Sequence, residues 1–105
     1  MITSIVRIYL SEPINKKQAL GQFGGSAEKY INIRGLVRKH YLLSEDGLTA
    51  GAVYLWESRQ DAEAFLNEDW RRFIREKYGR DPSVEYFLTP VIVDMVSGET
   101  WRDEG

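Results

Sequence analysis

Two stretches rich in β-branched and aromatic residues, 36–43 and 48–56, stand on either side of Ser44-Glu45-Asp46-Gly47. Asp-Gly supplies the positive backbone φ angles that tight loops need, so the two stretches are expected to pair as an antiparallel hairpin. The hairpin constrains everything else, because the remaining chain must pair with it or pack on it. Neither strand alternates cleanly between apolar and polar. In the first, Val37, Tyr41 and Leu43 are expected on one face and Leu36, His40 and Leu42 on the other; in the second, Val53 and Leu55 oppose Tyr54 and Trp56. A sheet with one solvated face is mostly polar on that side. Here both faces are at least half apolar, so both need a cover.

The flanking segments supply one cover. Residues 2–10 predict a strand with one polar interruption at Arg7, closed by Glu12-Pro13. Asn15 followed by Gln18 makes a capping box, and Ala19, Leu20, Phe23, Ala27, Tyr30 and Ile31 fall on one helical stripe. Gly21, Gly24 and Gly25 lie on the other side, each costing up to about 1 kcal/mol relative to alanine, which predicts a kink or loose turn near Gly24. Arg34-Gly35 then turns the chain into the hairpin. Beyond it, Ser58 and Asp61 start a second helical stripe of Ala62, Phe65, Leu66, Trp70, Phe73, Ile74 and Tyr78, stopped at Gly79. Asn67-Glu68-Asp69 offers another start inside that stripe, and the period alone does not separate one helix from two. Asp81-Pro82 precedes a last strand, 84–95. Pro90 cannot donate to a ladder and implies a bulge or an edge there; a strand bent at this point could serve its own sheet and then reach a partner.

The order strand, helix, strand, strand, helix, strand, with right-handed crossovers, predicts a ferredoxin-like α+β fold: a four-stranded antiparallel sheet with two helices on one face. Residues 1–96 are expected to form the domain and residues 97–105 a polar C-terminal surface tail, tacked down by Trp101. The helices cover one face only. A second copy of the sheet is the simplest cover for the other, so a homodimer is expected. A domain of 105 residues buries only about two-thirds of its unfolded surface and gains from such burial.

Composition removes several function classes. With no cysteine, disulfides, thiolate metal sites and thiol catalysis are excluded, and with His40 the only histidine the usual histidine metal centres go as well. No metal and no cofactor are expected. The net charge of −2 argues against nucleic acid, whose phosphates call for a basic surface. The opening MITSIVRIYL is too short, and too broken by Arg7, for a signal peptide or membrane span, so the expectation is a soluble cytoplasmic protein without a membrane partner.

The segments GLTAGAVYLWESRQDAEAFL and EYFLTPVIVD, within residues 35–94, resemble the dimeric α+β barrel superfamily, and more narrowly its antibiotic-biosynthesis monooxygenase-like and YdhR-like monooxygenase groups. The matching elements are Gly51-Ala52-Val53-Tyr54-Leu55-Trp56, the Glu57-Ser58 helix start, Asp61-Ala62-Glu63-Ala64-Phe65-Leu66, and Pro90-Val91-Ile92-Val93-Asp94. The resemblance implies two sheets packed face to face, with a pocket in each subunit between helices and sheet. It also implies oxidation of a small electron-rich aromatic or polyketide-like molecule without metal or flavin. Oxygenases, isomerases and proteins without known activity share this scaffold, so a non-catalytic dimer that binds a small apolar ligand, and an isomerase or cyclase, stand as alternatives.

An oxygenase of this type needs a base, donors for the anion formed, and a water-poor cavity. The glycines at 21, 24 and 25 do not follow a strand directly and make no dinucleotide loop. His40, whose ordinary pKa of about 6.5 suits proton transfer near neutrality, is the expected base or donor. The predicted hairpin sets it opposite Gly51 or Ala52, small residues that leave room beside the imidazole. Arg38, on the same face, would stabilise an oxyanion. Tyr54, Trp56, Trp70, Phe73 and Gly51 are the expected substrate-binding residues. For each there is a plainer alternative: an interfacial histidine, an interfacial ion pair, ordinary aromatic core packing. Arg7 is left between cavity and edge, and Arg71, Arg72, Arg75 and Arg80 read as a solvated helix face.

Overall fold

The computed structural model describes residues 1–104. Strand β1, Ile2–Tyr9, lies between β3, Thr49–Trp56, and β4, Ser83–Leu88, while β2, Leu36–Leu43, pairs with the outer side of β3. The sheet order is β2-β3-β1-β4 and every pairing is antiparallel. This is the expected ferredoxin-like arrangement. Helix α1, Lys16–Ala27, runs into a 3-10 turn at Glu28–Tyr30; α2, Arg59–Phe65, and α3, Glu68–Tyr78, form the second crossover. No helix among the described residues is long and apolar enough to cross a membrane.

Local chemistry sets these boundaries. Asn15 and Gln18 form the capping box: each side-chain oxygen accepts the other residue's backbone N–H at 2.8 Å. A kink or loose turn is expected near Gly24, and α1 runs as one helix through it to Ala27. A β-carbon on Gly21, Gly24 or Gly25 would meet nothing within 4 Å, so these glycines face open space and cost helix stability. The second stripe is two helices. Leu66 leaves helical geometry, and Asn67 opens α3 by accepting the Trp70 N–H at 2.9 Å while its amide donates to the Ala64 carbonyl. Gly79, at φ +80°, ends α3 in the left-handed region that glycine adopts freely.

The C-terminal segment differs from expectation. The last strand is split by Pro90 into β4 and β5, Val91–Asp94, and the presumed tail supplies β6, Glu99–Arg102, which pairs with β5. The Pro90 carbonyl accepts the Asp103 N–H, and the Asp94 carboxylate accepts the N–H groups of Val96 and Ser97 around the turn, so backbone satisfaction outweighs the polar sequence.

The hairpin is corrected in two respects. A bulge between Leu36 and Arg38 places Leu36, rather than Val37, on the face of Tyr41 and Leu43. His40 pairs with Val53, not with Gly51 or Ala52, which oppose Leu42 and Tyr41. The loop is longer than the Asp-Gly signal suggests: the Ser44 N–H donates to the Thr49 carbonyl, and the Asp46 carboxylate takes the Leu48 N–H at 3.0 Å.

Ile2, Ser4 and Val6 of β1 and Ala50, Ala52, Tyr54 and Trp56 of β3 are buried beneath the helices with Ala62, Leu66 and Ile74. The opposite face carries Ile5, Val53 and Leu55 among polar neighbours, with Leu42 and Phe87 exposed and no helix over it. Arg7 lies on this face, ion-paired with Glu85.

Candidate functional site

The centre of β3 reads Ala50-Gly51-Ala52, and small side chains there leave space that the helices do not fill. A cavity of about 360 Å³ results, within the range of roughly 300–1,000 Å³ that small ligands occupy. Its floor is Val6, Ile8, Gly51, Ala52 and Tyr54; its helical walls are Phe23 and Ser26 from α1 and Trp70, Phe73 and Ile74 from α3. Gly51 has a second role, since a β-carbon there would collide with the Val6 carbonyl of β1. Only glycine lets the two strands approach so closely.

The chemical centre of the cavity is Lys39. Strand alternation turns it toward the helices, between Leu36 and Tyr41. Its Nζ lies 3.4 Å from the ring centroid of Tyr30, 4.1 Å from that of Tyr41 and 4.6 Å from that of Tyr54. Tyr41 stacks on Phe23 at 5.1 Å and meets Tyr30 edge-on at 6.2 Å; its hydroxyl lies 3.4 Å from Ser26 Oγ. No ion pair among the described residues involves Lys39. Burial of the ammonium therefore lowers its pKa from 10.5 to about 7, while the three ring faces pull the other way. Burial, reinforced by neighbouring tyrosines, raises Tyr30 and Tyr54, so both stay protonated as donors. Lys29 and Lys77 also line the cavity, and no aspartate or glutamate does. Aromatic walls with cationic groups and no acid suit a planar, electron-rich guest that carries or acquires negative charge.

Gly51, Tyr54, Trp70 and Phe73 thus line one cavity. Trp56 lies next to them, fully buried and stacked on Tyr54 at 5.5 Å, and belongs to the core rather than the lining. His40 and Arg38 are elsewhere. Both are exposed on the uncovered sheet face, in a shallow groove with Thr3, Val53, Leu55 and Val91. Arg38 is held 3.3 Å from Asp94, within its own chain. The sheet separates this pair from the aromatic walls, so the expected base and the expected pocket are not brought together. Lys39 escaped notice in the sequence, although its spacing from Tyr41 and Leu43 already set it on their face. A larger groove, about 760 Å³, follows α1 and the edge strand β2; Ile14, Ala19, Leu20 and Leu43 form its apolar part, Lys16 and Glu45 also line it, and its Asp46 carboxylate is occupied by Ser44 and Leu48.

No family model matches this chain, and no curated protein matches it in sequence. Solved structures do match in fold. The monooxygenase from the gene ActVA-Orf6 of Streptomyces coelicolor, determined in complex with nanaomycin D, superposes with a TM-score of 0.62 at 18% identity, covering 84% of this chain and 86% of its own. An antibiotic biosynthesis monooxygenase candidate from Nitrosomonas europaea gives 0.62 at 18% identity, over 85% of this chain and 98% of its own. A similar candidate from Bordetella bronchiseptica gives 0.58 at 18% identity, over 84% and 95%. The chain has the fold of antibiotic biosynthesis monooxygenase-like proteins, in agreement with the resemblance read from the sequence.

Proposed function

We propose that the protein is a monooxygenase that oxidises a small, planar, electron-rich aromatic or polyketide-like molecule in the cavity between α1, α3 and the sheet, with no resident cofactor. The observation that supports this most is the cavity itself: aromatic faces, three lysines and no acid, inside a fold whose solved neighbours are called monooxygenases. Such walls hold a flat ring system by stacking and favour its anion over its neutral form.

For an anthrone-type methylene the reaction balances without further reagents. A base removes one proton from the ring CH2, and the electron pair stays on the ring as a delocalised anion. The anion passes one electron to O2, and the radical and superoxide combine to form a carbon–oxygen bond. The peroxide takes back the proton, and the hydroperoxide loses water to leave a ketone. One O2 is consumed, one oxygen atom enters the product and the other leaves as water. The protein's part is to ionise the guest and to exclude water.

A second copy of the chain is proposed to cover the open face that carries Ile5, Val53, Leu55 and Phe87. On this reading His40 and Arg38 serve that interface rather than the chemistry. The test is oxygen uptake with a panel of hydroxylated anthrones and quinols, comparing wild type with His40→Ala. Uptake above the protein-free blank, retained in the variant, supports the reading. Uptake that never exceeds the blank overturns it for these substrates, and uptake abolished in His40→Ala moves the chemistry to the other face.

A further inference from the structure

We infer that the Lys39 amine is the proton acceptor of the cavity, the group that ionises an acidic C–H or O–H of a bound aromatic guest. The inference deepens the oxygenase reading and rests on it, because it names that site's base.

Geometry supports it first. The Lys39 Nζ is held at the cavity wall against the rings of Tyr30, Tyr41 and Tyr54. An ammonium formed there is met by three negative ring faces, so the protonated product of the transfer has a prepared seat. Charge balance supports it second. No carboxylate pairs with Lys39 among the described residues, and no acid lines the cavity. A guest that gives up its proton becomes the missing counter-ion, and the transfer creates an ion pair inside an apolar site.

The surroundings of the amine point the same way. Tyr30 faces it from the 3-10 turn, Tyr41 from its own strand and Tyr54 from β3; Lys29, Lys77 and Tyr78 line the same cavity from the helical side. The two further cations favour an anionic guest. Desolvation, which lowers the amine to about 7, leaves a substantial neutral fraction near that pH. His40, the base expected from the sequence, lies across the sheet and lines no part of this cavity.

The step is a simple exchange. The guest C–H or O–H proton moves to the Nζ lone pair, and the bonding electrons remain on the guest. After oxygenation the ammonium returns that proton to the terminal peroxide oxygen, and the neutral amine is restored.

Anaerobic titration of the full chain with 1,8-dihydroxyanthrone tests this apart from any oxygen chemistry. At about pH 8 the wild type is expected to develop the long-wavelength absorption of the anthrone anion without releasing a proton to the buffer, because Lys39 keeps it. Lys39→Met is expected to bind the anthrone, seen as tryptophan quenching, with the anion band reduced at least about tenfold. Lys39→Arg, permanently charged, is expected to release one proton for each anion it forms. An anion band in Lys39→Met equal to wild type overturns the inference, as does wild-type proton release equal to that of Lys39→Arg, or the absence of a band in wild type. Oxygen admitted afterwards addresses the other reading: a wild-type anion that persists in air contradicts oxygenation while leaving Lys39 as the base.

Discussion

The indole N–H of Trp56 donates to the hydroxyl of Ser4 at 2.9 Å, and neither side chain has any solvent exposure. The bond ties β3 to β1 in the centre of the core. Trp56 in turn stacks on Tyr54, a wall of the cavity. Ser4→Ala leaves the buried N–H without a partner, and such a loss costs about 1–3 kcal/mol. Urea denaturation should show a lower midpoint with an unchanged slope. A variant as stable as the wild type would mean that the hydroxyl contributes nothing here.

Two glycines should respond oppositely to alanine. Gly51→Ala drives a methyl group into the Val6 carbonyl and is expected to destabilise the fold by about 1–3 kcal/mol. Gly24→Ala places the methyl in open space on α1 and should stabilise by about 0.4–1 kcal/mol. Thermal melts of the two variants check this: a Gly51→Ala as stable as wild type would contradict the close approach of β3 to β1, and a destabilised Gly24→Ala would contradict the open surroundings of Gly24.

Lys39 makes stability depend on pH in a definite direction. Its folded pKa of about 7 lies below the ordinary 10.5, so across that window the unfolded chain binds a proton that the folded chain has lost. Stability from this group therefore rises as pH climbs from about 7 toward 10.5, and the cost of the caged ammonium is fully present below the window. Lys39→Met removes that cost. Its melting temperature should exceed that of wild type at about pH 6, and the advantage should fade toward about pH 10. An equal difference at both ends would show that Lys39 keeps its proton throughout.

The uncovered sheet face yields a prediction about assembly. Sedimentation of the wild type is expected to give a dimer at micromolar concentration, and Val53→Glu, which sets a charge in the middle of that face, a monomer. A wild type that sediments as a monomer would leave Ile5, Leu55 and Phe87 without the proposed cover.

The fold was legible because its signals are local. The Asn15–Gln18 box, the Gly35 and Gly79 turns and the alternation of β1 each name an element from a few residues, and together they admit one topology. The site was legible only in part. Helix and strand period set Tyr54, Trp70 and Phe73 on their faces but did not separate a cavity wall from ordinary core packing. The partner of His40 depended on hairpin loop length, which hydrogen bonds around Ser44 and Asp46 decide and no spacing rule reveals. That register separates His40 from the cavity. The cage around Lys39 needs Tyr30 from the end of α1's extension to meet Tyr41 and Tyr54 on two strands, a tertiary coincidence that sequence period does not carry.

The helix-covered side of the sheet, not the open side, is proposed to receive the aromatic guest. Backbone amide chemical-shift mapping with 1,8-dihydroxyanthraquinone, the oxidised and unreactive relative of the anthrone, tests it most directly. Shifts are expected to concentrate at Phe23, Tyr30, Lys39, Gly51, Tyr54 and Phe73, with His40, Val53 and Val91 unmoved. Shifts centred on His40, Val53 and Val91, with the Lys39 cage silent, would contradict it.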